Sequence, residues 1–214
     1  NTLEQELGGG RVFDVAAFTA DSLNGLELLV VSAGTRDRLT PEQIRSLGAW
    51  VRRGGALIAE LPSGEIARWC GLGGQRLEPD QAAALRPREP DPAFLPPREG
   101  LAALPLHTRL YRESPAPAGA RVLAMLAGWP AIVARPFGQG WLCDVRFDFG
   151  LFLTATQQGR PEEDGTIHSR YPGILSPALE SNDLMVDSTY HANAIPIADL
   201  LERALIQEAR RHVL

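Results

Sequence analysis

Residues 26–60 read LELLVVSAGTRDRLTPEQIRSLGAWVRRGGALIAE. The stretch parses as strand, loop, helix, turn and strand. Leu26 and Leu28 to Val31 form one short apolar run, and Ala56 to Ala59 form another. Consecutive apolar positions are the pattern of parallel strands buried on both faces. The helix between them carries its own start and stop signals. Thr40 is a good N-cap, and Pro41 stands at the first helical position, where a missing N–H costs nothing. Gln43 completes a capping box, and Leu39 with Ile44 forms a hydrophobic staple. Ile44, Leu47 and Val51 share one apolar face. Arg52 and Arg53 meet the negative end of the helix dipole, and Gly54 or Gly55 supplies the left-handed stop. These signals predict a βαβ unit with a right-handed crossover.

A chain of 214 residues that is 44% hydrophobic is long and apolar enough for one α/β domain with a sizeable core. Net charge is −5 with no basic run, which gives no electrostatic case for nucleic acid. All 21 basic residues are arginines, so Schiff-base and P-loop lysine chemistry are excluded. Two cysteines, Cys70 and Cys143, are too few for a zinc site of their own or a disulfide framework. No apolar stretch reaches membrane-spanning length.

Outward from the central unit, Thr2 to Leu7 reads as helix, closed by Gly8 to Gly10, and Arg11 to Phe18 reads as a strand. Glu65 to Cys70 reads as a short helix. Residues 78–119 are proline-rich and read as a long excursion with one short helix near Gln81 to Leu85. Arg121 to Leu126 is a strand, and Ala131 to Pro136 with Trp141 to Phe147 flank a Gly-rich turn as an antiparallel hairpin. Residues 151–195 form a second polar excursion. Pro196 to His212 reads as an amphipathic helix, with Ile197, Leu200, Leu201, Ala204 and Leu205 on its buried face. Both ends read as helix, so we expect a single domain, residues 1–214, belonging to a longer polypeptide.

The order strand, TPEQ helix, GGALI strand, followed by G-x-PAIV-x-RPFGQGW-x-x-D-x-R-x-DFG over Gly128 to Gly150, resembles the class I glutamine amidotransferase-like superfamily. The likeness is to its non-catalytic members, found within bacterial β-galactosidases and related carbohydrate-active proteins. TATQQGRPEEDG at 154–165 and the IP-x-ADLLERAL helix at 195–205 are similar to the region before a polysaccharide-deacetylase domain in some large bacterial proteins. The resemblance implies an α/β three-layer sandwich with a mainly parallel, flavodoxin-like sheet and an antiparallel hairpin at one edge. In that fold the domain normally begins with a strand before a helix such as the opening one over Thr2 to Leu7; here that strand is missing, lost at the fragment boundary or supplied by another segment. The resemblance also implies an exported or periplasmic setting, with partners among other domains of the same polypeptide, a saccharide or a second copy.

Catalytic members present a cysteine on a sharp turn directly after the strand matching Ala56 to Glu60. Here the turn is Glu60-Leu61-Pro62-Ser63-Gly64, without cysteine or leading glycine. Cys70 comes too late, and both cysteines suit small buried side chains. Ser63 is the one hydroxyl near the nucleophile's place, and its plain reading is an N-cap for the next helix. A nucleophile needs a base, for which the candidates are His168 and His191; the family's His-x-Glu pair does not occur. Asp183, Asp187 and His191 recur at four-residue spacing but read as a solvated segment. Glu162 to Asp164 reads as a solvated turn. Asp148 with Arg146 at the hairpin end, and Trp141 and Trp129 near its base, read either as packing and ion pairing or as the lining of a sugar or partner surface. The residues ask for no metal and no cofactor.

Ligands of such sheets sit at the carboxyl ends of the strands. That rim comprises Ser32 to Arg38, Glu60 to Glu65 and the loop after Phe149, with Gly34, Thr35, Arg36, Glu60, Ser63 and Gly64 as candidate ligand-binding residues. Two functions stay open: a non-catalytic binding or oligomerisation domain, and an amide or ester hydrolase using Ser63 with a histidine from 151–195.

Overall fold

The computed structural model describes residues 11–74, 76–88, 104–112, 114–150 and 204–212. Its regular elements are β1 (Leu28–Val31), α1 (Pro41–Arg52), β2 (Ala56–Glu60), α2 (Gly64–Trp69), β3 (Leu77–Pro87), β4 (Leu104–Tyr111), β5 (Arg121–Leu126), β6 (Trp129–Phe137), β7 (Gly140–Val145) and a final helix α3 over 204–210. The strands form one sheet in the order β1-β2-β7-β6-β5-β3-β4.

The local signals around α1 are realised. Thr40 accepts from the Gln43 amide at 3.2 Å, and the Gln43 side chain accepts from the Thr40 amide at 2.8 Å. Leu47, Trp50 and Val51 are buried, each contributing about 1.5–3 kcal/mol if fully transferred from water. The same Gln43 reaches outward, its amide nitrogen donating to Val15 O and Phe18 O, each at 2.8 Å. That explains why residues 11–18 are not the expected strand. Asp14 caps a 3-10 turn at Val15–Ala17 by accepting from the Ala16 amide at 2.9 Å. Gln43 then pins this turn against the start of α1.

Three further expectations are corrected. The sheet is mixed: β1, β2 and β7 pair in parallel, while the pairings among β7, β6, β5, β3 and β4 are antiparallel. The β6–β7 hairpin lies inside the sheet, because β7 pairs with β2 on its other side. Residues 81–85 are strand, not helix: Leu85 pairs with Leu104 and with Leu126, and a bulge between Glu78 and Gln81 sets the register. β2 is buried along its whole length, but β1 is the edge of the described sheet and leaves Val30 43% exposed. The sequence segments 1–7 and 151–203 lie outside the described residues.

Each face of the sheet carries a core. Ala56, Ile58, Trp141, Cys143 and Val145 join Leu85, Leu126 and Ile132 on one face, with Ala204, Leu205 and Ala209 packed there. Leu57, Ala59 and Leu142 point the other way, to Leu47, Val51, Ile66, Trp69 and Cys70. This alternation is the period-two pattern of a strand.

The hairpin turn is fitted against the α1–β2 turn. Gln139 donates its amide to Arg52 O at 2.9 Å and Trp141 to Gly55 O at 3.1 Å. A methyl group on Gly140 would stand 2.0 Å from Val51 O and 2.3 Å from Gly55 O, whereas one on Gly34 would meet nothing within 4 Å. Gly140→Ala should therefore cost at least about 2 kcal/mol and Gly34→Ala less than about 0.5 kcal/mol, read from urea unfolding midpoints.

Arg146 pairs with Asp144 and not with Asp148: its Nε lies 2.5 Å from Asp144 Oδ2, and both side chains are buried. Its Nη1 also donates to the carbonyls of Ser114 and Pro115. Burial raises the Asp144 carboxyl to about 6 despite the arginine's charge. A carboxyl whose pKa is raised by folding weakens the fold as pH climbs from its unfolded value through its folded one. Arg146→Met strips away the compensating cation. It should cost about 3–5 kcal/mol at pH 7 and much less near pH 4.5, where Asp144 is free to take a proton; urea midpoints at the two pH values test this.

Candidate functional site

The rim at the carboxyl ends of β1, β2 and β7 is built from the turns after β1 and β2 and from the first residues after β7, up to Gly150. After β1 the chain turns at once: the Thr35 amide donates to Ser32 O at 3.0 Å, its hydroxyl to the same oxygen at 2.9 Å, and the Arg36 amide to it at 3.2 Å. This closed turn aims Arg36 across the rim. One guanidinium nitrogen donates to Leu61 O at 2.6 Å and lies 3.4 Å from the Tyr111 hydroxyl.

After β2 the backbone reverses sharply. Leu61 has φ +41° and no exposed surface. A leucine in this left-handed region is strained by roughly 1–3 kcal/mol. Three contacts hold it: its amide donates to Val145 O at 2.7 Å, its carbonyl accepts from Arg36, and its side chain fills the core. Gly64, at φ +56°, completes the turn, where glycine carries no such strain.

Ser63 stands at the N-cap place of α2 but makes no capping bond with its side chain. Its hydroxyl donates to Asp37 Oδ1 at 2.5 Å. That bond, with the hydrogen bond and charge of Arg36, holds the Asp37 carboxyl below its ordinary value against a smaller effect of burial. The Tyr111 hydroxyl donates to Pro62 O at 3.1 Å, and burial raises its pKa. Pro62, Ser63, Gly64, Arg68, Leu72 and Tyr111 line an open groove of about 430 Å³ beside the turn. Arg68 is mostly exposed and Tyr111 nearly covered.

Glu60 lies behind this turn, buried, with its carboxylate turned to the backbone. It accepts from the Ala33 amide at 3.1 Å and the Gly150 amide at 2.6 Å. Burial raises its pKa, the two amides oppose that, and the charge of Asp148 adds to it. Asp148 is itself buried and held by Arg109, whose Nε donates to it at 3.0 Å.

Thus Arg36 and Ser63 meet through Asp37, Gly34 and Thr35 shape the β1 turn, Gly64 lies on the groove, and Glu60 is set behind it. His168, His191, Asp183, Asp187 and the cluster 162–164 lie outside the described residues. Among the described residues no three His, Cys, Asp or Glu side chains are grouped to hold a metal ion, and no helix is long and apolar enough to cross a membrane. Nothing in the sequence marks Tyr111 and Arg109, which sit in a proline-rich stretch whose composition favours loop. Asp37 was inside the rim segment, but nothing in its spacing marks it as the partner of Ser63.

No protein-family model matches the chain, and no curated protein does. It is similar to several solved structures. One is the cytoplasmic protein STM3548 from Salmonella typhimurium, at 18% identity and TM-score 0.48, covering 69% of this chain and 74% of that one. Another is a ThuA-like protein from Parabacteroides merdae, at 15% identity and TM-score 0.44, covering 67% and 71% respectively. A third is the exo-beta-1,4-mannosidase Op5Man5 from an Opitutaceae bacterium, at 16% and 0.41, where 60% of this chain spans 22% of that one.

Cys70 closes α2 and Cys143 lies in β7, both buried. Burial, and then the charge of Asp144, pushes both thiols well up. Thiolate is the reactive form, so iodoacetamide at pH 8 should label neither cysteine in the native protein and both in 6–8 M urea, with mass spectrometry as the readout.

Proposed function

We propose that this chain is a non-catalytic domain of class I glutamine amidotransferase-like build, a binding or oligomerisation module of a larger bacterial carbohydrate-processing protein. The reading takes the α/β sheet as a flavodoxin-like layer between helices, and its setting as exported or periplasmic. It is carried by the residue on the β2 turn: Leu61, at φ +41° and buried. An amidotransferase would present its cysteine on that turn, and a buried hydrocarbon offers no atom to attack a carbonyl. Ser63 is bonded to Asp37, a carboxylate held below its ordinary pKa. Such a group is a poor proton acceptor at neutral pH and does little to activate a hydroxyl.

The groove beside the turn suits a small polar ligand. Leu72 and Pro62 give it apolar wall, while Ser63 and the exposed Arg68 offer hydrogen bonds. A few placed polar groups on an apolar surface is the common composition of a ligand site. A saccharide fits that description, with hydroxyls for the polar groups and ring carbons for the wall. The second reading, an amide or ester hydrolase using Ser63 with His168 or His191, draws on the place of Ser63 at this groove and its short bond to a carboxylate.

The two separate experimentally. The full-length protein, screened on p-nitrophenyl esters and amides, should show no turnover that Ser63→Ala abolishes. In calorimetric titrations with soluble oligosaccharides, Arg68→Ala should weaken binding about tenfold, the worth of one charged hydrogen bond, with the melting temperature unchanged. Hydrolysis lost on Ser63→Ala overturns the non-catalytic reading. Saccharide binding indifferent to Arg68→Ala removes the groove from it.

A further inference from the structure

One side chain ties together the ends of all three parallel strands. Glu60 is the last residue of β2, and each of its carboxyl oxygens serves a different neighbour. Oε2 accepts from Ala33, just past β1, and Oε1 accepts from Gly150, just past β7. The Phe149 amide is a further donor to the same carboxylate. A methyl group on Gly150 would lie 3.6 Å from Glu60 Oε1 and 3.8 Å from Asp148 Oδ1, so both carboxylates flank this backbone.

The backbone amides suit a carboxylate better than a carboxylic acid, while burial and the charge of Asp148 favour the acid. Ionised, both oxygens accept. Protonated, one oxygen becomes a hydroxyl, a donor and a much weaker acceptor, and the charge that strengthened both bonds is gone. The bond to the amide facing that oxygen is then the one most weakened. We propose that Glu60 is a proton-operated clasp on the rim: ionised, it holds the connections after β1 and β7 against the end of β2, and protonated, it releases one of them.

The charged groups around it set when this happens. Asp148 faces Glu60 from the β7 side and is itself paired by Arg109 from β4. From the β1 side come Arg36 and Asp37, but Arg36 is turned to Leu61 O and Tyr111, and Asp37 to Ser63. Burial and Asp148 make Glu60 hold its proton more tightly than a free glutamate does, so release falls above the ordinary glutamate range. A carboxyl that binds its proton more tightly in the folded chain favours folding as pH drops. The release is therefore local and distinct from acid unfolding. The clasp regulates the rim assigned above to ligand binding; only that consequence rests on the binding reading, and its own test needs no ligand.

The test is amide hydrogen exchange by NMR on the full chain, with the Glu60 carboxyl carbon followed through its titration. At Ala33 or Gly150 the protection factor should fall about tenfold as Glu60 takes its proton, the loss of one charge-assisted bond, while the amides of Leu57 to Ala59 keep theirs. Glu60→Gln should remove the step at every pH, and Asp148→Asn should move it to lower pH. Unchanged protection at both amides through the titration overturns the proposal, as does the same step in Glu60→Gln. Should Glu60→Gln fail to fold, a step that stays in place in Asp148→Asn overturns it as well.

Discussion

The structure turns on the contact between the β6–β7 hairpin and the turn that ends α1. Gly140 has no side chain because the carbonyls of Val51 and Gly55 occupy that space. Gln139 and Trp141 give their amides to Arg52 and Gly55 at the same place. This contact starts β7 level with β2, Trp141 opposite Ala56, and the two then run in parallel register to Val145 opposite Glu60. The parallel part of the sheet and its antiparallel part thus meet at one strand, β7. Because the register is fixed at the start of β7, its far end delivers Arg146 to Gly150 to the rim.

Past Val145 the neighbour changes. β2 has turned away at Leu61, and from Arg146 on the chain pairs with the end of β4. Tyr111 donates its amide to Arg146 O, Asp148 donates to Arg109 O, and Leu110 bridges Phe147. The antiparallel strands curl far enough for β4, at the far end of the strand order, to return to the extension of β7. That return carries Arg109 to Asp148 and Tyr111 to Pro62. The rim is therefore a product of long-range pairing between segments nearly forty residues apart in sequence.

How much of this was legible followed from how local each cause is. Thr40, Pro41, Gln43 and the paired glycines act within a turn or two of themselves, so α1 and its flanking strands could be read directly. Residues 81–85 carry three alanines, a composition that favours helix when taken alone. Pairing with β4 on one side and β5 on the other overrides that preference, and neither partner is visible from the segment itself. Residues 11–18 failed differently: Asp14 and Gln43 offered the backbone a capped turn that competes with extension. At the rim, topology located the candidate residues in advance. The links from Ser63 to Asp37 and from Glu60 to Ala33 and Gly150 depend on turns whose geometry no spacing in the chain encodes.

Leu61 shows how a strained backbone is retained without an exposed reactive group on it. Its φ of +41° is set against a fully buried side chain and two backbone bonds, from its amide to Val145 and from Arg36 to its carbonyl. Strain of roughly 1–3 kcal/mol is matched by the roughly 1.5–3 kcal/mol that burying a leucine contributes. A side chain held at the surface by this turn would forgo that burial, and the conformation would then need another source of stability. The turn directs Leu61 into the core, while Ser63 two residues on reaches the groove through ordinary extended backbone at φ −126°. Glu60, one residue earlier, points to neither core nor groove but to the backbone of its neighbours. Within four residues the end of β2 thus divides three tasks, binding the rim together, anchoring the core and facing solvent, and the left-handed residue between Glu60 and Pro62 is what separates them.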